Sequence, residues 1–350
     1  MSQVGERPVA RAWVPGLFLL VCAPVVVDLL FGATQLTTIV ALIPETATYG
    51  FAALLIRGCA RRRNVGWLPV VVWGFAFAVI AECLIVQTSL APPTGPHAAW
   101  GRALGVNWPY LTWAVGYESG WAIALSIQLT DLVFPAFRHR PWPRRRSLIA
   151  LGVLFVLAAF PTWYNWTHVV APRLLGQPPY QPPPVTLAAA GIVAIALIAL
   201  GWRLARRRLR PAVARSRPAP APAVAACTAF TATVLWFALL LPLRIVTEIP
   251  AAVAITLAIA TAGAAILGLR RWSRSNDWGD RHRLALLTGA LVASMAAGFA
   301  ANHFSTVDLL AKIVFNLAAL GGLVWLYRRL PGRHRSGSAA PGRDQRLRAG

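Results

Sequence analysis

Three glutamates stand inside long apolar stretches of this sequence, where an acidic side chain is unfavourable. Glu45, Glu82 and Glu118 each lie eight to ten residues from one end of such a stretch. A carboxyl group buried in hydrocarbon is normally paired, protonated or wetted, and such groups often bind ions or relay protons. The chemistry that these residues favour is therefore proton or cation binding.

Two tyrosines are candidates to share a binding site with the glutamates. Tyr49 lies one helical turn after Glu45 and on the same face of a helix. Tyr117 directly precedes Glu118 and belongs to an aromatic stripe with Trp113 and Trp121, so that Glu118 points about 100° away from the stripe. The stripe itself is more typical of packing or interfacial anchoring than of ligand binding.

The last apolar stretch carries Lys312, which is the single lysine of the chain. Asp308 stands four residues before it, which is the favourable order for an ion pair on a helix. We predict a structural ion pair between Asp308 and Lys312. Two further roles for the lysine stay open, either reaching the lipid headgroups or facing the carboxyls of the binding site.

The elements that must position these residues are membrane-spanning helices. The chain is 57% hydrophobic and 13% charged, and its apolar runs match the length of about 20 residues needed to cross a bilayer. We predict an all-α, polytopic transmembrane helix bundle of about ten spans. The predicted spans are 13–33, 36–56, 67–90, 108–135, 147–164, 184–204, 222–243, 250–270, 284–302 and 307–327.

The arginines predict how these spans are oriented. Thirty of the 33 arginines fall at the two termini and in every second gap between the spans, and only Arg102, Arg173 and Arg244 fall in the other gaps. Short cytoplasmic loops retain positive charge, so we expect both termini to be cytoplasmic in a multi-pass protein of the cell membrane. The formal net charge of +23 then indicates contact with anionic lipid headgroups, and not with nucleic acid.

This orientation places the three glutamates at one depth. Glu45, Glu82 and Glu118 each lie roughly 12–15 Å below the outer surface, close to the middle of the bilayer. If the second, third and fourth spans pack as neighbours, the carboxyls line one pocket that opens to the outside. The alternative is that isolated protonated glutamates hold helices together by hydrogen bonds.

Composition divides the chain into two membrane bundles. We predict six spans over 1–205, a basic Pro/Ala-rich cytoplasmic linker over 206–221, four spans over 222–327, and a basic, disordered cytoplasmic tail over 328–350. The four cysteines form no CxxC pair and have no histidine at ligand spacing, so we expect neither a metal nor a cofactor. Standard hydrolase and nucleotide-binding motifs are also absent from the sequence.

Four segments resemble a family of bacterial multi-pass membrane proteins without an established activity. They are PETATYGFAALLIR (44–57), FAVIAECLIVQTSL (77–90), GYESGWAIALSIQLTDLVFP (116–135) and NDWGDRHRLALLTGALVASMAAGF (276–299). That family is distantly similar to the glutamic-type CAAX-processing and bacteriocin-immunity membrane proteases, in which a glutamate activates water and histidines stabilise the oxyanion. The resemblance carries over only Glu82, because Cys83 replaces a second glutamate, and Glu118 and a residue near Ala297 replace the histidines.

Three classes of function follow from these patterns. The working interpretation is a permease-like protein that handles a small molecule or ion through an outward-facing pocket lined by Glu45, Glu82 and Glu118. The alternatives are a membrane-embedded hydrolase related to the glutamic proteases, active or inactive, and a non-catalytic membrane partner or immunity-type protein. We expect the geometry of the three carboxyls to distinguish these classes.

Overall fold

The computed structural model describes residues 13–92, 99–142, 144–176, 179–207, 218–241 and 248–330. This part of the chain is an all-α bundle, apart from a hairpin of two-residue strands, β1 (Arg102–Ala103) and β2 (Val106–Asn107). The main helices are α1 (Trp13–Leu29), α2 (Leu36–Arg63), α3 (Trp67–Ile85), α4 (Trp108–Tyr117, Glu118–Leu125 and Ser126–Val133 in succession), α5 (Arg145–Arg173), α6 (Pro184–Arg206), α7 (Pro222–Leu240), α8 (Ala251–Trp272), α9 (Asp280–Ala301) and α10 (Thr306–Arg329).

Within the described residues, eight of these helices are long and apolar enough to cross a membrane. The two others are α1, which has 17 residues, and α4, which carries Glu118 and Asp131. The predicted multi-pass bundle therefore corresponds to the observed architecture, whereas the count of ten spans is not confirmed. The predicted linker and tail lie mostly outside the described residues, which omit 208–217 and 331–350.

Local sequence explains where several helices begin and end. The Asn107 side chain accepts a hydrogen bond from the backbone N–H of Tyr110 and caps α4, and Ser305 caps α10 in the same way. Proline occupies the first position of α6 and α7, where its missing N–H costs nothing. Asn64 ends α2 in the left-handed conformation, with φ of 48°.

Several helices present apolar side chains to their surroundings. Phe160 on α5 and Ile192 and Ile195 on α6 are each about two-thirds exposed. A soluble protein rarely leaves such continuous apolar surface in water, whereas a lipid-facing helix requires it. The exposed apolar faces and the eight long helices together indicate a multi-pass membrane protein.

Close helix packing depends on small residues at two crossings. A side chain at Gly50 of α2 would clash with the carbonyl oxygen of Leu20 on α1, and a side chain at Gly289 of α9 would clash with that of Ala226 on α7. Glycine therefore allows the two backbones to approach at each crossing. Gly50 brings α1 against the part of α2 that carries the candidate site.

The Arg-rich end of α2 is held by buried ion pairs. Asp131 on α4 accepts hydrogen bonds from Arg57 at 2.8 Å and from Arg61. The Arg57 guanidinium is 1% exposed and stacks 3.6 Å from the ring centre of Trp142. It also donates to carbonyl oxygens of the loop that follows α4. Asp131 thus forms a structural salt bridge, and its partners come from α2 and not from the Arg-rich loop that follows α4.

One aromatic core joins helices of the two predicted bundles. Phe237 on α7 packs edge-on against Tyr117 and Trp113 of α4, with ring centres 5.3 and 5.6 Å apart. Its ring also lies 5.6 Å from that of Phe31, just after α1. The second group of helices thus packs directly onto the helices that carry the glutamates.

Candidate functional site

Wide helical turns lie at or beside four acidic residues. In the described residues five helix segments are π-helical, and four of these contain or directly follow an acidic residue. Val25–Leu29 contains Asp28, Thr46–Gly50 follows Glu45, Ile80–Ile85 contains Glu82, and Glu118–Leu125 begins with Glu118. Because π-helical turns are rare and are frequent at functional sites, their coincidence with four acids singles out this region.

Prolines precede two of these π-helical segments. Pro24 lies directly before Val25–Leu29, and Pro44 lies two residues before Thr46–Gly50. Proline supplies no N–H to the helical ladder, so the turn after it is free to widen. The sequence therefore contained a local signal for α1 and α2, but none of this kind for α3 and α4.

Glu118 on α4 is bound to Tyr49 on α2. The Tyr49 hydroxyl donates to Oε1 of Glu118 at 3.3 Å, and both side chains are buried. The second carboxyl oxygen, Oε2, is buried without a hydrogen-bond partner among the described residues. A buried oxygen of this kind is unfavourable unless a proton, a water or a ligand satisfies it, so Glu118 is equipped to take one of these.

Glu82 on α3 is bound by the turn that ends its own helix. The backbone N–H of Ser89 donates to Oε1 of Glu82 at 2.6 Å, and Glu82 is 2% exposed. The chain reverses through Gln87, which has φ of 57°, a conformation that non-glycine residues seldom adopt. Local strain at Gln87 thus accompanies the return of Ser89 toward the acid.

Glu45 on α2 is bound by a single hydroxyl. Thr34 Oγ1 lies 2.7 and 2.8 Å from the two carboxyl oxygens of Glu45 and donates to them. Thr34 belongs to the connection between α1 and α2, so this contact joins the end of α1 to the acid. Glu45 itself is half-buried, unlike Glu82 and Glu118.

Asp28 on α1 is a fourth acid of the site that the sequence reasoning missed. It lies within electrostatic range of Glu45 and of Glu118, and its Oδ2 is buried without a hydrogen-bond partner in the described part of the chain. It lies near the end of the predicted span 13–33. Pro24 was the available signal, since Pro24 and Pro44 each lie just before a π-helical segment.

Tyr49 interacts electrostatically with all of these acids. Its phenol is within electrostatic range of Asp28, Glu45, Glu82 and Glu118, and Glu118 is also within range of Glu82. No two of the acids bond to each other directly. We call the four acids around Tyr49 the carboxyl cluster, which brings together all three of the predicted glutamates.

The carboxyl cluster contains no ion pair within the described residues. The salt bridges found there join arginines to Asp131 and Asp280 only. His168 and His282 hydrogen-bond to Thr167 and to the carbonyl oxygen of Pro220, and no histidine in the described ranges hydrogen-bonds to a carboxyl of the cluster. The negative charge of the cluster must therefore be balanced by protons or by a bound cation.

Tyr117 lies beside the cluster but has a different contact. Its hydroxyl donates to the carbonyl oxygen of Val27 at 2.9 Å, and its ring stacks on Trp113 with ring centres 5.1 Å apart. The aromatic stripe thus packs α4 against α1. Glu118 points away from this stripe toward Tyr49, as the helical spacing predicted.

The predicted ion pair between Asp308 and Lys312 does not form, which corrects the sequence interpretation. Lys312 is 3% exposed, and its Nζ donates to the carbonyl oxygens of Leu30 and Phe31 at 2.8 and 2.9 Å. Asp308 instead accepts hydrogen bonds from Thr37 at 3.0 Å. Unpaired carbonyls at the end of a helix attract cations strongly, so the lysine caps α1 and lies apart from Asp308.

A small cavity adjoins the turn that holds Glu82. It has a volume of about 20 Å³, enough for one water, and its lining includes Gln87, Thr88, Thr167 and Tyr180. The Oε1 of Gln87 is buried there without a hydrogen-bond partner in the described chain. Polar groups therefore continue from Glu82 toward the end of α3.

The described residues contain no group of three or more histidines, cysteines, aspartates or glutamates arranged to hold a metal ion. The four acids of the carboxyl cluster therefore form no site of this kind. Carboxyl groups inside a membrane protein suit the exchange of protons with a small cation.

No family model, curated protein or solved structure matches this chain. The resemblance to the glutamic-type membrane proteases therefore stays a prediction.

Proposed function

We propose that this chain is a permease-like membrane protein that exchanges protons for a small cation at the carboxyl cluster. The observation that carries the proposal is the gathering of Asp28, Glu45, Glu82 and Glu118 around Tyr49 without a basic partner among the described residues. Acidic groups inside membrane proteins commonly mark ion pathways and proton relays.

The absence of a basic partner supports exchange over simple structural pairing. Four carboxylates in a medium of low dielectric repel one another, so the cluster is stable only when protons or a cation reduce its charge. A cation that enters displaces protons, and protons that bind release the cation. The same acids thereby couple the two movements.

The local geometry supplies flexibility for such exchange. Each acid lies in or beside a π-helical segment, where backbone carbonyl groups are less tightly paired than in a regular α-helix. The polar cavity at Gln87 and Thr88 adjoins the turn that binds Glu82. We propose that this end of the site leads to the outer surface.

The proposed orientation is that of ten crossings with both termini in the cytoplasm of a cell-membrane protein. The alternation of arginines supports it. The 17 residues of α1 extend about 26 Å, close to the ~30 Å of a bilayer core. The 26 residues of α4 extend about 39 Å, which exceeds that thickness.

Cation-driven proton movement in proteoliposomes tests this function. The purified protein is reconstituted with an internal pH-sensitive dye, the membrane potential is clamped, and Na⁺ or tetraethylammonium is added outside. We expect internal alkalinisation with at least one probe, and its loss in Glu118→Gln. The matched control is Glu248→Gln, because Glu248 is an exposed glutamate outside the cluster.

Two outcomes would overturn the proposal. The first is the absence of proton movement with either probe in the unmodified protein, in vesicles shown to hold a pH gradient. The second is an equal rate in Glu118→Gln and in the unmodified protein. Correct folding of each variant is checked by gel filtration and thermal unfolding before the transport measurement.

A further inference from the structure

An apolar groove opens on the surface formed by α2, α3, α5 and α6. Its volume is about 190 Å³, and every side chain that lines it is apolar or a thiol. The lining includes Ile56, Cys59, Trp73, Phe155, Ile198 and Trp202. The helices around it carry large exposed apolar side chains, so the groove faces the same hydrocarbon as they do.

Two walls of the groove end in arginine at the same helical spacing. On α2 the lining residues Leu55, Ile56 and Cys59 are followed by Arg63, four residues after Cys59. Residues four apart share one face of a helix. Arg63 therefore extends the lining of α2 beyond the apolar part of the groove.

The same arrangement recurs on α6, which runs along the other side of the groove. Ile198 and Trp202 line the groove, and Arg206 follows four residues after Trp202, in the last turn of the helix. Arg63 and Arg206 are both exposed. Two separate helices thus each place an exposed arginine one turn beyond the apolar lining.

Contacts at the groove confirm that the two features adjoin. The guanidinium carbon of Arg63 lies 4.7 Å from the ring centre of Trp202, which itself lines the groove. Arg63 is also within electrostatic range of the Cys59 thiol. The positive charge therefore stands at the end of the apolar groove, and not on a distant part of the surface.

We infer that the groove and its two arginines form a binding site for an anionic phospholipid. An acyl chain lies in the groove, and the phosphate of the headgroup lies between Arg63 and Arg206. A guanidinium binds phosphate oxygens with paired N–H groups. In a zwitterionic headgroup, the positive group beside the phosphate partly neutralises the phosphate charge, so that an anionic headgroup is favoured. The apolar walls match the acyl chain of such a lipid, and the basic end matches its phosphate. A soluble phosphate compound would leave the apolar walls unfilled.

The acids of the carboxyl cluster do not line the groove. The two sites are adjacent, because Phe77 lines the groove and also packs edge-on against Tyr49, with ring centres 5.6 Å apart. Another Arg-rich helix end, at Arg270 and Arg271 of α8, borders a recess of about 440 Å³ in which Leu267 is the one apolar lining residue among those the structure describes. That end serves as a matched control, since it has the positive charge without the long apolar groove.

Native mass spectrometry of the full chain tests the site. The protein is exchanged into detergent with equal amounts of phosphatidylglycerol and phosphatidylcholine, and the bound lipids are counted. We expect the unmodified protein to retain phosphatidylglycerol preferentially. In the double variant R63Q/R206Q we expect a roughly 30-fold lower affinity for it, because each basic residue near an anionic surface contributes severalfold.

Two further variants separate this site from general charge attraction. R270Q/R271Q removes two arginines at the control end and should leave the retained phosphatidylglycerol unchanged. Ile198→Trp fills the groove while keeping both arginines, and should remove the retained lipid. Ile198 is 37% exposed, so a larger side chain is accommodated without disturbing the core.

The inference is overturned if R63Q/R206Q retains phosphatidylglycerol as the unmodified protein does. It is also overturned if R270Q/R271Q loses the lipid to the same extent, because the attraction would then depend on total charge. Retention in Ile198→Trp would show that no acyl chain occupies the groove. Thermal unfolding of each variant in detergent confirms that lipid loss is measured on folded protein.

Discussion

The Tyr49 hydroxyl of α2 donates a hydrogen bond to Oε1 of Glu118 on α4 at 3.3 Å, while the other oxygen of that carboxyl has no partner in the described chain. One bond thus links two helices that are 69 positions apart in sequence. Tyr49 also lies within electrostatic range of the other three acids. The phenol is therefore the group of the cluster that interacts with each of the four carboxyls.

Replacing Tyr49 by phenylalanine should change both stability and transport. The variant loses one buried hydrogen bond, and we expect the free energy of unfolding to fall by about 1–3 kcal/mol because Glu118 then keeps no donor. Cation-driven proton movement should slow as well. Equilibrium unfolding in mixed micelles and the proteoliposome assay measure the two effects. Tyr164→Phe, on an exposed tyrosine of α5, is the control and should change neither.

Substitutions of Glu82 should separate its structural contact from its proposed chemistry. Glu82→Gln keeps an oxygen that accepts from the Ser89 N–H, so the free energy of unfolding should change by less than about 1 kcal/mol. Glu82→Leu leaves that buried N–H without a partner and should lower it by about 1–3 kcal/mol. Both variants should lose proton exchange. If Glu82→Gln exchanged protons normally, Glu82 would be only a structural cap for its turn.

Breaking the buried ion pair of Arg57 should destabilise the Arg-rich end of the bundle strongly. Arg57→Gln leaves Asp131 buried with one remaining arginine, and we expect a loss of about 3–5 kcal/mol in the free energy of unfolding. Arg283→Gln breaks an exposed pair with Asp280 and should cost at most about 1 kcal/mol. Equal losses in the two variants would contradict the difference in burial on which this prediction rests.

A double-mutant cycle should show that Lys312 and Asp308 act separately. Lys312→Met removes the cap of α1, and Asp308→Asn weakens the contacts with Thr37. Each single variant should reduce the free energy of unfolding, and the coupling between them should stay below about 0.5 kcal/mol because they share no partner. A coupling well above that value would indicate that Asp308 and Lys312 form the ion pair that the sequence predicted.

Thiol labelling from outside the cell should reveal the proposed orientation. Leu104, which is 90% exposed, belongs to the hairpin that joins α3 to α4, and Ser273 follows α8. In a chain whose four cysteines are replaced by serine, a membrane-impermeant maleimide should label Leu104→Cys in intact cells. It should label Ser273→Cys only after the cells are opened. The reverse labelling pattern would show that the chain crosses the membrane in the opposite orientation.

Much of the fold was predictable from composition and spacing, because hydrocarbon imposes strict demands on a chain. Apolar runs of sufficient length must be helical, since no water satisfies their backbone groups. The predicted spans therefore coincide with the observed helices to within a few residues at most ends. The exceptions are α2, which continues past the predicted end at 56 to Arg63, α3, which ends at Ile85 and not at 90, and α5, which continues past the predicted end at 164 to Arg173.

The site was only partly predictable, for a reason that its residues illustrate. Counting residues along the helices predicts the depth of Glu45, Glu82 and Glu118. Which neighbours each acid faces depends instead on how the helices pack. The widened turns at Glu82 and Glu118 shift the direction of each side chain, and no proline marks them. Asp28 enters the cluster because Gly50 lets α1 approach α2 closely.

Sequence by itself determined that this is a helical membrane protein, and it predicted that three of its acids lie near one depth. Only the tertiary structure decided that Tyr49 bonds to Glu118, that Lys312 caps α1 instead of pairing with Asp308, and that Arg63 lies against Trp202 at the apolar groove. The physical reason is the range of the forces involved. Transfer into lipid acts on each residue according to its own type, whereas hydrogen bonds and cavities depend on contacts between helices that lie far apart in the chain.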